Sequence, residues 1–99
     1  MDYSHIFEPR AQFEFEVAIL WYDERSKQAS KNFKQAIDEK IVEICEHPRR
    51  YRNTKKHFRE TFLDKYPYSI IYVINEVDHV IVVTSIFHSS RNPKIKFSS

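Results

Sequence analysis

Apolar and polar residues follow two different periods along this chain, and the change near Pro48 separates a helical first half from a stranded second half. Ser4 to Glu8 is a short stretch containing Ile6 and Phe7 and closed by Pro9. It predicts a first strand running straight into a helix with proline near its first turn. That helix covers about Pro9 to Glu24, because Ala11, Phe15, Ala18 and Tyr22 repeat at the four-three-four spacing of one face, which Val17 and Trp21 widen. Ser26 is the expected N-cap of a second helix, with Ala29, Phe33, Ile37, Ile41 and Ile44 as its buried stripe and Pro48 as its stop. So short a connection predicts an antiparallel helix hairpin.

After Pro48 the period shortens. Phe58 and Phe62 flank Glu60 at strand spacing, and Ser69 to Ile74 and Val80 to Phe87 are rich in Val, Ile and Tyr. Three strands are expected after the helices. Residues 75 to 79 form a polar hairpin loop, and in a chain without glycine its left-handed positions are assigned to Asn75 or Asp78. Val80 to Phe87 is apolar on both faces, which predicts a central strand covered on one side by the hairpin. The order β-α-α-β-β-β gives an α+β architecture, with the N-terminal strand and helix hairpin packed on a mainly antiparallel sheet. How the first strand pairs is left open.

The 99 residues suffice for one core and are too few for two, so a single domain over 1–99 is expected. Eight Phe, six Tyr and one Trp supply large side chains to fill that core. No stretch approaches the roughly 18 uninterrupted apolar residues of a membrane span. The N-terminus lacks the basic and apolar regions of a signal peptide, so a cytoplasmic location and no membrane partner are expected. The single cysteine, Cys45, lies beside the stripe of the second helix and reads as a small apolar residue.

A net charge of +2 conceals an uneven distribution: residues 1–46 carry six Lys/Arg against ten Asp/Glu, and residues 47–99 carry ten against four. The basic half is concentrated in His47 to Arg59, where Arg49, Arg50, Arg52, Lys55, Lys56, Arg59, His47 and His57 occur without one acidic residue. Such a cluster, with Tyr51 and Phe58 interleaved, suits phosphates or an acidic protein; it equally suits a solvated edge strand that repels strand pairing. His88, followed by Ser89, Ser90, Arg91, Asn92 and Pro93, is a candidate for proton transfer, with capping of backbone groups the commoner role. The histidines show no metal-ligand spacing, and the absence of glycine removes glycine-rich phosphate loops, so neither metal nor cofactor is expected. Glu14, Glu16, Asp38, Glu39, Glu43 and Glu46 are assigned mostly to outward helix faces.

The succession Pro9-Arg10-Ala11, Trp21-Tyr22, Pro48, Tyr66-Pro67-Tyr68-Ser69-Ile70-Ile71-Tyr72 and His88-Ser89-Ser90-Arg91-Asn92-Pro93 resembles the RelE/ParE toxin superfamily over nearly the whole chain. The resemblance implies the toxin of a bacterial type II toxin–antitoxin pair, associated with plasmid stabilization and neutralised by a cognate antitoxin. It also implies a homodimer or a toxin–antitoxin heterotetramer as its assembly. RelE-like members cut messenger RNA on the ribosome; ParE-like members inhibit DNA gyrase. Ser69 and Ser89 stand where ribosome-dependent cutters commonly carry arginines, and Ile95 where some carry a tyrosine. The His88, Arg91, Pro93 exit followed by Phe97 looks more like the ParE branch, so a gyrase inhibitor without chemistry of its own is expected. Its target-binding residues are then Arg49, Arg50, Arg52, Arg59, His88, Arg91, Lys94, Lys96 and Phe97. The alternatives are a ribosome-dependent endoribonuclease using Lys55, Lys56, Arg59 and His88, or a decayed toxin that only binds antitoxin. In each case the antitoxin segment is expected to be partly acidic and to cover Arg49 to Arg59.

Overall fold

The computed structural model describes residues 2–97. β1 (Ser4–Phe7) leads into α1 (Pro9–Asp23), where Pro9 occupies a first-turn position whose N–H has no helical partner in any residue type. α2 (Lys27–Glu46) opens on Ser26, whose Oγ accepts from the Ala29 N–H at 2.9 Å, and stops two residues before Pro48. With only residues 24–26 between them, the helices fold back as the expected hairpin.

Four strands follow the helices, where the sequence predicts three: β2 (Arg52–Asn53), β3 (Arg59–Phe62), β4 (Tyr68–Asn75) and β5 (Val80–His88), then a 3-10 turn at Pro93–Ile95. β2 is two residues long, too short to leave a periodic signal. The five-stranded sheet has the order β1-β5-β4-β3-β2, so β5 is an interior strand, as its apolar character requires. β1 pairs parallel with β5 from Ser4↔Val80 to Phe7↔Val83, and the remaining pairs are antiparallel. Thr84 is the extra residue of a bulge, since Ile71 faces Ser85 while Tyr72 faces Val83; its Oγ1 donates to the Ile71 carbonyl at 3.2 Å.

Strand alternation divides the sheet into two faces. Ile70, Tyr72, Ile81, Val83 and Ile86 pack with Ala11, Ala18, Phe33, Ile37, Ile41 and Ile44 of the helices. On the other side Phe58, Ile71 and Phe87 form a small cluster with Val73 and with Phe97 of the tail. Tyr72 is fully buried and its hydroxyl donates to the Pro48 carbonyl at 2.6 Å. Burial pushes that phenol well above its ordinary pKa.

Three local expectations are corrected. Val17 and Trp21 do not widen the buried stripe of α1; both are about half exposed, and Glu14 is buried in their stead. Ala29 is only partly buried, and Ser30, one position on, is the buried residue. The left-handed positions fall on Lys56 (φ 54°) and His79 (φ 59°), not on Asn75 or Asp78. Asn75 serves the turn with its side chain, accepting from the Asp78 N–H at 3.0 Å, so the positive φ moves to the last loop residue before β5.

Candidate target-binding surface

The basic stretch that reads as one cluster in sequence is divided by the fold. Arg49, in the loop after α2, is ion-paired with Glu76, which also accepts from the Tyr3 hydroxyl at 3.3 Å. The Arg49 guanidinium holds the Glu76 carboxyl below its ordinary range. Arg59 Nη1 donates to the carbonyls of Tyr51 (2.9 Å) and Arg49 (3.4 Å), so its guanidinium ties the loop to β3. Tyr51 in turn donates its hydroxyl to Glu43 at 2.9 Å. Arg50 and Arg52 stay exposed.

Lys55 and Lys56 lie in the β2–β3 turn, closed by Phe58 N–H to the Lys55 carbonyl and Thr54 N–H to the Phe58 carbonyl, both 2.9 Å. Phe58 is anchored in the smaller core, and His57 stacks on it at 5.1 Å. The C-terminal tail returns across this face, and Phe97 packs on Phe58 at 5.5 Å. Lys55, Lys56 and Lys94 thereby meet around a groove of about 430 Å³ with Phe58, Pro93 and Phe97. Two basic segments almost forty residues apart in sequence form one surface, a groove lined by three lysines and two aromatic residues. Such a surface suits phosphates or carboxylates.

Lys96 behaves differently from Lys94. Its ammonium reaches buried Glu60 at 2.9 Å, passing 5.4 Å from the Phe87 ring centre and 5.5 Å from that of Phe62. The same Glu60 oxygen accepts from the Ser69 hydroxyl at 2.7 Å. Ser69 thereby supports the carboxylate that fastens the tail.

His88 lies at the opposite end of the strands: it pairs with Tyr68, whereas Arg59 pairs with Tyr72. Its Nδ1 accepts from the Ser90 N–H at 3.0 Å, which puts the proton of the neutral ring on Nε2, and the Tyr68 ring meets it edge-on at 4.8 Å. It borders a cavity of about 410 Å³ shared with Phe13 and Val17 of α1 and with Arg91. The four residues assigned to a nuclease reading are therefore not gathered in one site. Lys55 and Lys56 adjoin the tail, Arg59 binds the loop, and His88 looks towards α1.

Two buried carboxylates that fasten the tail escape the sequence reading. Glu14, assigned to an outward face, is 9% exposed. β1 ends opposite Val83, leaving β5 without a strand partner on that side, and Glu14 Oε1 takes the Ile86 N–H at 2.9 Å and the Ser85 hydroxyl at 2.7 Å. Glu14 Oε2 accepts from Arg10 Nε at 3.2 Å and is paired with Arg91, which fixes the start of the tail to the core. The available signal is spacing: Glu14 lies three residues after Ala11 and four before Ala18, both buried. Glu60 carries the same kind of signal, sharing a strand face with Phe58.

Among the described residues no group of three or more His, Cys, Asp or Glu side chains is placed to hold a metal ion, and no helix is long and apolar enough to cross a membrane. Cys45 is buried, and burial, with Asp2 and Glu46 nearby, pushes its thiol above the ordinary value, which opposes nucleophilic use.

The sequence matches the family profile of the ParE toxin of type II toxin–antitoxin systems over residues 6–93. No curated protein gives a significant match. Among solved structures, a mutant Escherichia coli RelE toxin in complex with an antitoxin RelB peptide has a TM-score of 0.67 at 21% identity, covering 97% of this chain and 92% of that one. The intact E. coli RelBE toxin–antitoxin complex gives 0.62 at 21% identity, over 90% and 99%. The RelBE2 complex of Mycobacterium tuberculosis gives 0.60 at 12% identity, over 89% and 99%. These likenesses are of fold.

Proposed function

The chain belongs to the ParE toxin family of type II toxin–antitoxin systems, and from that premise we propose that it acts by docking on DNA gyrase and is silenced by a cognate antitoxin. The observation that carries this reading is the dispersal of the nuclease candidates. General acid–base cleavage needs its groups around one scissile bond, and misplacement by about 1 Å is already costly. Arg59 is held on main-chain carbonyls, and His88 lies four strand positions along β4 from the Arg59 pairing and borders a different cavity from Lys55 and Lys56. What remains exposed is a cationic docking surface of Lys55, Lys56 and Lys94 bordering the half-buried Phe97, joined by Arg50 and by Arg52 of β2. Lys96 contributes by holding the tail in place.

The test is supercoiling and DNA cleavage by the host's gyrase with increasing amounts of antitoxin-free protein. Accumulating cleaved DNA supports the reading, and Lys94→Glu is expected to weaken it several-fold while leaving the circular dichroism spectrum unchanged. Gyrase unaffected by folded protein overturns it.

A second reading, a ribosome-dependent endoribonuclease, is favoured by one observation: three lysines beside Phe58 and Phe97 form a groove with the chemistry of a nucleic-acid backbone site. Primer extension on messenger RNA after induction would then show new codon-positioned 5′ ends. Under either reading the antitoxin segment is expected to be partly acidic and to cover Arg49 to Arg59.

A further inference from the structure

Arg52, Lys55, Lys56 and Lys94 are exposed, and among the described residues none of them is ion-paired. Their own segments supply no counter-charge, because residues 47–59 and 88–97 contain neither Asp nor Glu. The carboxylates that do reach these segments are engaged by other cations: Glu76 by Arg49, Glu60 by Lys96 and Glu14 by Arg91. The backbone beneath the four free charges is fixed. The Lys55 turn is closed by the Phe58 N–H, and the Asn92 side chain accepts from the Lys94 N–H at 3.0 Å. Lys56 holds a φ of 54°, a left-handed conformation that Asn or Gly adopts with less strain. Like charges held together on a rigid frame oppose folding, and a polyanion relieves that repulsion.

We propose that these four side chains bind the phosphate backbone of duplex DNA without reading its sequence, so that the toxin grips the DNA held by gyrase as well as the enzyme. The choice of DNA rests on the gyrase reading above; the choice of a double-stranded backbone rests on the groove itself. Single-strand sites stack bases on open aromatic rings. Here Phe58 is 6% exposed and Phe97 is half-buried against it at 5.5 Å, so neither ring of the groove is open to a base. Protein interfaces are centred on Trp, Tyr and Arg anchors and are depleted in lysine. Three of the four free cations are lysines, compact charges suited to phosphate, and the two sides of the groove, from the β2–β3 turn and from the tail, present them together.

The experiment is fluorescence anisotropy of two short labelled DNA duplexes of unrelated sequence, and of a single-stranded RNA of equal length, titrated with the antitoxin-free full chain made by cell-free synthesis. Both duplexes are expected to bind alike and several-fold more tightly than the RNA. Four phosphate contacts give log affinity against log salt a slope of about −3.6. Lys55→Gln and Lys94→Gln are each expected to bring that slope about one unit nearer zero, with the circular dichroism spectrum unchanged. Lys34→Gln removes the same charge from the exposed side of α2, across the sheet, and is expected to leave the slope as it is.

No binding to either duplex at low salt, tighter binding to the RNA, or an equal change of slope in Lys34→Gln and Lys94→Gln overturns the proposal. The assay contains no gyrase, so the two readings fail separately. A chain that poisons gyrase without binding duplex refutes the DNA contact alone, and one that binds duplex but leaves gyrase untouched refutes the gyrase reading alone.

Discussion

The two faces of the sheet are built to different depths. On the helix side Phe33 is fully buried, with Tyr22 at 4.7 Å, Tyr68 at 5.2 Å, Tyr66 at 5.3 Å and Phe15 at 6.1 Å between ring centres, inside a cluster that takes in both helices. On the tail side the buried apolar cluster is Phe58, Ile71 and Phe87, and its cover is Phe97 together with the Lys96–Glu60 pair. Most of the folding free energy therefore resides in the first face, and the exposed lysines are carried by the second. A docking surface can be remodelled on a thin layer without disturbing the core beneath.

The strongest challenge to that contrast is Phe33→Ala. Removing a ring surrounded by four others should cost about 3–5 kcal/mol and lower the thermal midpoint by more than about 10 °C in a domain of this size. Scanning calorimetry reads it directly. A drop of only a few degrees would mean that the helix face is not where stability resides.

Next in size is Glu14→Ala, at the margin where the two faces meet. It strands the Ile86 N–H and the Ser85 hydroxyl and breaks the two charge pairs to Arg10 and Arg91, for an expected loss of about 3 kcal/mol. Glu14→Gln keeps an acceptor for β5 and loses both ion pairs, so it should recover part of that loss. Equal loss in both variants would place the stabilisation in the Arg10 and Arg91 pairs rather than in the capping of β5.

How these residues read in sequence follows the same contrast between local and long-range causes. Ser26 and Pro48 bound α2 through interactions within four residues, and a linear reading finds them. Glu14 depends on Ser85 and Arg91, 71 and 77 positions away, and α1 is apolar on two sides, so periodicity alone could not choose which side faces inward. Likewise the run from Arg49 to Arg59 reads as one basic cluster. Only the pairing of β2 with β3 shows that Arg59 is directed to the loop carbonyls while Lys55 and Lys56 meet the tail.

Lys96→Met sharpens the comparison from the thin side. It retains an apolar stem beside Phe62 and Phe87 and removes the ammonium from Glu60. Because Glu60 is 4% exposed and would keep only the Ser69 hydroxyl, the global cost should be about 2 kcal/mol. Hydrogen exchange at the Ile95 and Lys96 amides, which close the 3-10 turn, should rise well before that of β4. If the midpoint falls as far as in Phe33→Ala, the tail belongs to the core and the two faces are one cooperative unit.

The smallest effect is expected where the helix face borders the basic loop. The Tyr51 hydroxyl, then the charges of Lys40 and Arg50, hold the Glu43 carboxyl below its ordinary range. A carboxyl depressed in the folded state adds stability above its unfolded pKa and loses it as pH falls through the folded one. Glu43 is largely solvated, so screening makes that contribution slight. The midpoints of the wild type and Glu43→Gln should therefore differ a little at about pH 7 and converge as the pH falls through the folded-state pKa of Glu43. A difference that persists unchanged into acid would assign the stabilisation to the shape of the Tyr51 contact, not to its charge. The same titration followed by exchange should loosen the Pro48–Tyr51 loop while the tail, fastened by Glu60, responds separately, because no hydrogen bond or ion pair links Glu43 to Glu60 or Lys96 among the described residues.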